Sequence, residues 1–334
     1  MPLSDLRFIA LKDWLATRLC TDFQIKLISG DASFRRYFRV QLPTSCYIAM
    51  DSPPELIPVQ PFIDLAKAYQ EQGILVPQVI EQNIEQGFLL LSDLGDVQLL
   101  SCLNENTMVD YYARAIDLLG SVFAVTVSAQ QPLPTYDAQF VMKELAIFSE
   151  WLLGKHLNMS LSASETRMLD DAFKSLTDNA MAQPQGGMHR DYHSRNIMIK
   201  DDALAVIDFQ DAVIGPVTYD AVSLLRDCYI RCSDATLALM MRRHYDLLIQ
   251  RELITADVSF AQYRRWFDLM GIQRHLKAAG IFCRLNYRDS KPAYMADIPM
   301  TLQYIVDVAA TYPELHALRD WLIEKVQNQF EAVA

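Results

Sequence analysis

The sequence is short of positive charge: 30 Lys and Arg stand against 41 Asp and Glu, which gives a formal net charge of −11 over 334 residues. General nucleic-acid binding depends on clustered Lys and Arg that neutralise phosphates, so this balance argues against it. The longest uncharged apolar stretch, Leu118 to Ala129, contains several polar residues and is too short to span a bilayer. The composition therefore predicts a globular protein that binds neither nucleic acid nor a membrane.

Cysteine is scarce and scattered. The six cysteines lack the spacing of a zinc site or a redox pair, which predicts reduced thiols in a cytoplasmic protein: Cys20, Cys46, Cys102, Cys228, Cys232 and Cys283. His189 and His193 lie four residues apart, but the glutamate of a zinc protease is missing between them, so histidine ligation of a metal is not expected. The N-terminus has charges among its apolar residues and does not indicate a signal peptide. A monomer is predicted, with a dimer as the alternative.

The segment from His189 to Asn196 reads His-Arg-Asp-Tyr-His-Ser-Arg-Asn, and Asp208 follows twelve residues later. One carboxylate, one carboxamide and a second carboxylate are the groups that phosphoryl transfer from ATP to an alcohol requires. Asp191 would be the base for the acceptor hydroxyl, and Asn196 and Asp208 would be ligands to Mg²⁺. The segment therefore predicts a kinase that uses ATP and Mg²⁺, and the alternative is a surface hairpin with chance acidic residues.

The residues between Asn196 and Asp208 predict a β-hairpin. Two apolar runs, 197–199 and 204–207, are separated by Lys-Asp-Asp, which places the turn near Asp202. Folding the chain there sets Asn196 almost opposite Asp208. Two oxygen ligands that are distant in sequence would then reach the same ion.

The order of these motifs resembles the catalytic and metal-binding segments of the protein kinase superfamily. Asp208-Phe209-Gln210-Asp211 stands in place of Asp-Phe-Gly, and Gly215 to Asp220 replaces the Ala-Pro-Glu segment, as is typical of the aminoglycoside phosphotransferase family. The resemblance implies an α+β, bilobal protein kinase-like fold with a small antiparallel-sheet N-lobe and a larger, mostly helical C-lobe. It also implies that His189 and Asp220 tether the catalytic loop by hydrogen bonds.

Further stretches resemble a narrower group, the bacterial anomeric kinases of N-acetylmuramate and N-acetylglucosamine, which serve cell-wall sugar recycling. These stretches are Gly30 to Arg39, Met50 to Glu55, Gln273 to Lys277 and Arg288 to Lys291. The resemblance implies an amino-sugar substrate that is phosphorylated at its anomeric hydroxyl to a 1-phosphate, in peptidoglycan recycling.

Alternating patterns predict the N-lobe in detail. Strands are expected at 24–28, 37–41 and 46–50, followed by a helix over 58–72 and two more strands at 79–80 and 88–91. The helix would bury Phe62, Leu65, Ala66 and Tyr69 on one face and end at Gly73. The predicted boundaries are 1–91 for the N-terminal nucleotide-binding lobe, 92–96 for the hinge and 97–334 for the catalytic and substrate-binding lobe.

Nucleotide binding is predicted at two places. The loop residues Gly30, Asp31, Ala32 and Ser33 would cover the phosphates, and the resemblance places adenine beside the hinge residues Ser92, Asp93 and Leu94. One departure concerns Met50, which stands where most kinases have the lysine that contacts the α- and β-phosphates. Arg36 is the preferred replacement and Lys26 the alternative, since the task needs a positive charge with suitable reach.

Sugar recognition requires apolar faces and polar groups, and a sugar carboxylate adds a need for Arg or Lys. The predicted substrate residues lie in two helical regions and on the catalytic loop: Glu144, Arg195, Arg274, His275, Arg288 and Lys291. A core stripe around Glu144 and a surface salt-bridge network of the basic residues are the alternatives. Arg195 could also steady phosphate or pair with a nearby Asp.

Other functions remain open at this point. An aminoglycoside kinase is the nearest rival, because an acidic protein would attract a polycationic drug. Choline or homoserine kinase activity is another possibility within the same class. A noncatalytic nucleotide-binding scaffold is the alternative outside it, since Met50 is what a degenerate kinase would show, but the joint presence of Asp191, Asn196 and Asp208 argues against it.

Overall fold

A small sheet with two longer helices occupies the first third of the chain, and helices dominate the remainder in the computed structural model, which describes residues 5–19, 22–28 and 34–333. The strands are β1 (Gln24–Leu27), β2 (Arg36–Gln41), β3 (Cys46–Asp51), β4 (Val79–Asn83), β5 (Phe88–Ser92), β6 (Val127–Ser128), β7 (Gln131–Pro132), β8 (Gln185–Met188), β9 (Ile197–Lys200), β10 (Ala203–Val206) and β11 (Val213–Pro216). The helices are α1 (Leu6–Leu19), α2 (Gln60–Glu71), α3 (Leu99–Cys102), α4 (Met108–Val122), α5 (Ala138–Ile147), α6 (Ala163–Met181), α7 (Tyr219–Leu225), α8 (Asp234–Gln250), α9 (Phe260–Asp289), α10 (Ile298–Ala309), α11 (His316–Trp321) and α12 (Asn328–Val333). π-Helical segments follow α5 (Phe148–His156) and α11 (Leu322–Gln327), and 3₁₀ turns span Pro292–Asp297 and Pro313–Leu315.

These elements fall into two units. The first comprises Met1–Val97, Val127–Gln131 and Ile197–Gln210, and the second comprises Gln98–Thr126, Pro132–Asn196 and Asp211–Ala334. The division differs from the predicted boundaries at 91 and 97 by including the hairpin from Ile197 onward in the first unit. The predicted lobe and hinge limits remain a prediction.

The first unit is built on a five-stranded antiparallel sheet with strand order β1-β2-β3-β5-β4. The predicted small N-terminal sheet is therefore confirmed, with strand limits that differ by a few residues at most. Helix α1 packs on this sheet through Leu11, Trp14 and Leu15, which share a core with Phe38 and Leu90. This apolar layer fixes α1 against the strands that flank the predicted nucleotide loop.

Helix α2 buries the face that its sequence predicts, and that face contains Phe62, Leu65, Ala66 and Tyr69. The helix ends just before Gly73, whose φ of +75° is left-handed, as a C-terminal stop requires. The rings of Phe62 and Tyr69 lie 4.9 and 5.3 Å from the ring of Phe209. Helix α2 thus packs on the residue that directly follows Asp208.

The predicted hairpin is formed by β9 and β10, and Ile197 pairs with Val206 at its open end. Its turn consists of Asp201 and Asp202, which have φ values of +49° and +62°. Two successive left-handed residues are what a tight two-residue hairpin turn needs, and aspartate tolerates that conformation better than most residues. The backbone N–H of Val206 donates to the carbonyl oxygen of Leu75 and joins the hairpin to the rest of the first unit.

The second unit is mostly helical and is organised around α9, a 30-residue helix of which more than half the residues are buried. Helices α5, α6, α7 and α10 all pack against α9. Four helices of this unit begin at a side chain that caps a backbone N–H three residues later: Asp137 for α5, Ser162 for α6, Ser233 for α8 and Ser259 for α9. Among the described residues, no helix is long and apolar enough to cross a lipid bilayer.

Substitution of Gly87 tests the turn that precedes β5 in the first unit. Gly87 has a φ of +71°, and a Cβ there would stand 1.9 Å from the backbone oxygen of Ser52. Gly73 has a similar φ of +75° and no atom within 4 Å of the same position. The left-handed conformation costs a residue with a side chain about 1–2 kcal/mol. We expect Gly73→Ala to cost only that amount, and Gly87→Ala roughly 3 kcal/mol or more because the Ser52 backbone must also move. Urea unfolding followed by circular dichroism measures the difference, and equal midpoints for the two variants would contradict the described turn.

Candidate active site

The catalytic loop between β8 and β9 is tied down by a buried carboxylate in the first turn of α7. Asp220 accepts hydrogen bonds from the backbone N–H groups of His189, at 2.7 Å, and Arg190, at 3.0 Å. The His189 ring is itself fully buried, and its Nδ1 accepts a hydrogen bond from the backbone N–H of Asp191. These contacts fix the backbone on both sides of Arg190, which has a left-handed φ of +77°.

A second buried carboxylate holds the far end of the loop. Asp227 accepts hydrogen bonds from the backbone N–H of Ser194, at 2.9 Å, and from its hydroxyl, at 2.5 Å. Between the two anchors, the hydroxyl of Tyr192 donates to the carbonyl oxygen of Ala115. Tyr192 and Ser194 are buried, whereas Asp191, His193 and Arg195 are partly exposed. The alternation places the last three side chains on the outer side of the loop.

Asp191 is ionised at neutral pH. Burial alone would raise the pKa of its carboxyl group, but the positive charges of Lys277 and Arg190 help to lower that pKa to about 2. A carboxylate with so low a pKa stays ionised and can accept hydrogen bonds, but it is a weak proton acceptor. The side chain is therefore suited to orienting an acceptor hydroxyl.

Beneath the loop, Glu144 forms the centre of a buried polar network. Its Oε1 accepts hydrogen bonds from Nζ of Lys277, at 2.7 Å, and from the guanidinium of Arg190, at 3.0 Å. Its Oε2 accepts from the hydroxyl of Tyr136, at 2.6 Å, and from the amide of Gln273, at 3.2 Å. Burial opposes ionisation of Glu144, but Lys277 and Arg190 hold its pKa below the ordinary value. Glu144, predicted to contact substrate, here supports the cations around the catalytic loop.

The sequence reasoning missed Lys277, Gln273 and Tyr136. Gln273 and Lys277 lie one turn apart on α9, and both face Glu144. Two long polar residues at positions i and i+4 of a largely apolar helix are a recognisable signal of a buried polar partner. Tyr136 precedes α5 in a loop and shows no such pattern.

Two of the other predicted substrate residues, Arg274 and His275, lie in the middle of α9. Arg274 is buried, and its charge helps to lower the pKa of Asp191. The His275 ring stacks on Tyr304 with centroids 4.7 Å apart, its Nε2 bonds the carbonyl oxygen of Arg226, and burial lowers its pKa to about 3. These contacts account for His275 as a packed, neutral side chain, and its role in substrate binding remains a prediction.

Arg288 donates to the adjacent Asp289 near the C-terminal end of α9, and Lys291 follows that end. At a rise of about 1.5 Å per residue, Arg274 and Arg288 are roughly 21 Å apart along the helix axis. The structure therefore does not bring Arg288 and Lys291 together with Arg274, and their contact with substrate remains a prediction.

The two predicted magnesium ligands lie in different units. In the second unit, the amide nitrogen of Asn196 donates to the carbonyl oxygen of Asp191, at 3.0 Å, which orients the carboxamide. In the first unit, Asp208 has a left-handed φ of +64°, and its Oδ1 accepts a hydrogen bond from Gln210 at 2.6 Å. An amide oxygen and a carboxylate suit Mg²⁺, which prefers oxygen ligands. Among the described residues, no group of three or more His, Cys, Asp and Glu side chains forms a separate metal site.

The predicted hinge residues have structural partners. Arg39 donates to Asp93, at 2.8 Å, and to Asp96, at 2.6 Å, while Asp93 also accepts from the backbone N–H of Gly95. The hydroxyl of Ser92 accepts from the backbone N–H of Gln78. Leu94 belongs to an apolar cluster with Met198 and Ala205, against which Leu75 and Ile207 also pack. This cluster is buried, and the adenine contact expected at Leu94 remains a prediction.

Of the loop residues and Arg36, which are predicted to bind phosphate, the structure describes only Arg36. Gly30, Asp31, Ala32 and Ser33 lie outside the described residues. Arg36 pairs with Asp51, with an Nε–Oδ2 distance of 2.9 Å, and with Asp5. Asp51 is fully buried and is also paired with Arg7, so two arginines share this carboxylate. The role of Arg36 in phosphate binding remains a prediction.

The fold and the catalytic loop define a phosphotransferase of the kinase type. The chain matches the model of the phosphotransferase enzyme family, APH, over residues 24–254, and it belongs to that family. This membership confirms the predicted class of enzyme, a kinase that acts on a hydroxyl group.

Two relatives align over nearly their whole length. The chain is 35% identical over 327 residues to the N-acetylmuramate/N-acetylglucosamine kinase of Neisseria meningitidis serogroup B, with 97% of each protein covered. It is also 35% identical over 335 residues to the kinase of the same name from Pseudomonas putida, with 97% of this chain and 98% of that protein covered.

Similar solved structures include the choline kinase LicA of Streptococcus pneumoniae, with a TM-score of 0.63 at 12% identity over 91% of this chain and 100% of that chain. Another is the aminoglycoside phosphotransferase APH(2'')-Ib with bound ADP, with a TM-score of 0.61 at 11% identity over 90% of this chain and 98% of that chain. At such low identity the likeness shows the fold alone. It confirms the predicted α+β, protein kinase-like class.

Replacement of Glu144 tests the buried network. Glu144→Gln keeps the shape of the side chain but leaves Lys277 and Arg190 without their carboxylate partner. Breaking a buried ion pair on one side costs about 3–5 kcal/mol, so we expect a loss of that order in the free energy of unfolding. Asp178→Asn is the matched control, because Asp178 pairs with Lys174 on the exposed face of α6, where such pairs contribute only about 0.3–0.5 kcal/mol. Urea unfolding compares the two, and equal losses would show that Glu144 does not hold the network together.

Proposed function

We propose that this protein is an ATP-dependent kinase that phosphorylates the anomeric hydroxyl of N-acetylmuramate, N-acetylglucosamine or both. The product would be the sugar 1-phosphate, formed in peptidoglycan recycling. The observation that carries the proposal is the ionised Asp191 on a doubly anchored loop, in a chain that aligns end to end with kinases named for these two sugars. Family membership supports the reaction, and the names of the relatives support the acceptor.

Asp191 would accept a hydrogen bond from the acceptor hydroxyl and point its oxygen at the phosphorus to be attacked. With a pKa of about 2, its carboxylate takes up the proton late, when the bond from the sugar oxygen to phosphorus is largely formed and the bond to ADP is broken. The tethers from Asp220 and Asp227 hold the loop during this transfer, so that catalysis depends mainly on position.

Asn196 and Asp208 would hold Mg²⁺, which neutralises charge on the phosphates of ATP when it is bound. Their oxygens fit that ion, and the left-handed backbone of Asp208 supports a functional role, since strain of about 1–3 kcal/mol persists mainly where it is used. Leu94 with its apolar neighbours would receive the adenine. The backbone from Gly30 to Ser33 and the guanidinium of Arg36 would receive the phosphates.

A panel of acceptors tests the proposed function. We expect Mg²⁺-dependent release of ADP from ATP in the presence of N-acetylmuramate or N-acetylglucosamine, and little release with kanamycin, choline or homoserine. ³¹P NMR of the product should show a phosphate on the anomeric oxygen. Turnover of kanamycin, choline or homoserine alone would assign the enzyme to another acceptor, and turnover of none of the five would favour a nucleotide-binding scaffold.

A conservative change at Asp191 tests the mechanism. Asp191→Asn removes the carboxylate that orients the hydroxyl, and we expect kcat to fall by about 10²–10⁴ while the KM for ATP changes little. Asp201→Asn is the matched control, because Asp201 is exposed at the tip of the hairpin and asparagine tolerates its left-handed backbone. Steady-state kinetics measures both variants, and near-normal turnover of Asp191→Asn would remove this residue from the mechanism.

A further inference from the structure

Arg195, like the buried Arg274, has no carboxylate partner among the described residues, but unlike Arg274 it is partly exposed. Its guanidinium carbon lies 3.6 Å from the ring centroid of Tyr229 and 5.8 Å from that of Tyr294. It forms no hydrogen bond and no ion pair with any residue in the part of the chain that the structure describes. By contrast, Arg190 and Arg226 are paired with Glu144 and Asp268. A partly exposed, unpaired guanidinium in a chain of net charge −11 is a candidate site for an anion.

The rings around Arg195 form one aromatic surface. Phe282 stacks on Tyr294 with centroids 5.7 Å apart, and it also lies 6.3 Å from Tyr229. The ring of His193 meets Tyr229 edge to face at 5.3 Å, and its buried Nδ1 has no hydrogen-bond partner. Stacking of this kind holds a guanidinium by its face and keeps its edge of N–H donors available for a planar anion.

Arg195 lies on the same loop as Asp191, and both side chains are partly exposed. Asp191, His193 and Arg195 are the partly exposed residues of the alternating pattern, and the intervening Tyr192 and Ser194 are held inside. An anion bound by Arg195 would therefore belong to a molecule whose hydroxyl group is presented to Asp191. The acceptor itself fits this description.

The surrounding charges leave room for that anion. Asp227 accepts hydrogen bonds from Ser194 and from the backbone N–H of Tyr229. Asp297 interacts with Arg195 electrostatically but forms no ion pair with it among the described residues. Arg274 adds a second positive charge to the same region, where it acts on Asp191, Asp227 and His193. Both arginines favour a negatively charged ligand.

We propose that Arg195, stacked on Tyr229 and Tyr294, binds the carboxylate of the acceptor sugar and gives the enzyme its preference for the acidic sugar. The inference rests on the proposed function and adds the residue that distinguishes N-acetylmuramate, which carries a lactyl carboxylate, from the neutral N-acetylglucosamine. The guanidinium fork would hold the carboxylate through two N–H donors. Arg195 is thus a specificity residue and not a ligand of the transferred phosphate.

Arg195→Gln tests this assignment by steady-state kinetics with both sugars. A hydrogen-bonded charge pair is worth enough to weaken binding roughly ten- to a hundredfold when it is lost, so we expect the KM for N-acetylmuramate to rise by that factor. The KM for N-acetylglucosamine and the KM for ATP should stay within about twofold, and Arg195→Lys should recover part of the loss. Arg243→Gln is the matched control, since Arg243 pairs with Asp117 on an exposed face of α8. An equal loss for both sugars, or a rise in the KM for ATP, would overturn the proposal and give Arg195 a role in phosphate binding.

A binding measurement separates this proposal from the proposed function. Calorimetric titration of the wild-type enzyme with N-acetylmuramate and with its neutral methyl ester should show tighter binding of the acid, and Arg195→Gln should abolish the difference. If the wild-type enzyme phosphorylates neither sugar, the proposed function fails, but the comparison of acid and ester still decides the role of Arg195. Equal binding of acid and ester by the wild-type enzyme, or no binding of either, overturns the inference.

Discussion

The hydrogen bonds from the catalytic loop to two buried carboxylates, Asp220 and Asp227, are the constraint on which the chemistry of the second unit depends. Asp220 accepts hydrogen bonds from two consecutive backbone N–H groups at the start of the loop. Asp227 accepts hydrogen bonds from the backbone N–H and the hydroxyl of Ser194 near the end of the loop. Buried carboxylates without partners are costly, so these positions are tolerable only because the loop supplies the donors. The loop and its anchors therefore stabilise each other, and the alternation of inner and outer side chains follows.

Charged side chains beneath the loop determine the ionisation of Asp191. Glu144 is matched by Lys277 and Arg190, and those two cations also act on Asp191. Lys277 and Arg190 thus stabilise two carboxylates: Glu144, which is buried, and Asp191, which is partly exposed. This arrangement keeps Asp191 ionised although it is largely buried, because the cations outweigh the cost of removing its charge from water.

The sequence predicted what short-range patterns determine. The buried face of α2 follows from helical periodicity, the antiparallel sheet from alternation, and the hairpin from two apolar runs around Asp201 and Asp202. The roles suggested for Asp191, Asn196 and Asp208 came from spacing and resemblance, and they remain predictions about the chemistry.

Long-range pairing could not be predicted in the same way. Arg39 meets Asp93 across 54 positions, and Gln273 meets Glu144 across 129 positions. Each of these partners is surrounded by sequence that offers several other carboxylates, so only the three-dimensional fold selects one. For the same reason, no local pattern indicated the ion pairs of Arg36 with Asp5 and Asp51. These ion pairs compete with the phosphate contact that was expected of Arg36.

Two residues of the candidate active site have a left-handed backbone. Arg190 and Asp208 are non-glycine residues with φ values of +77° and +64°, and neither lies in a tight hairpin turn, where such values are common. Each is held by its own unit: Arg190 by Asp220 and Glu144, and Asp208 by Gln210 and by the packing of Phe209 between Phe62 and Tyr69. The contacts that hold these two residues in the left-handed conformation also fix the directions in which their side chains point.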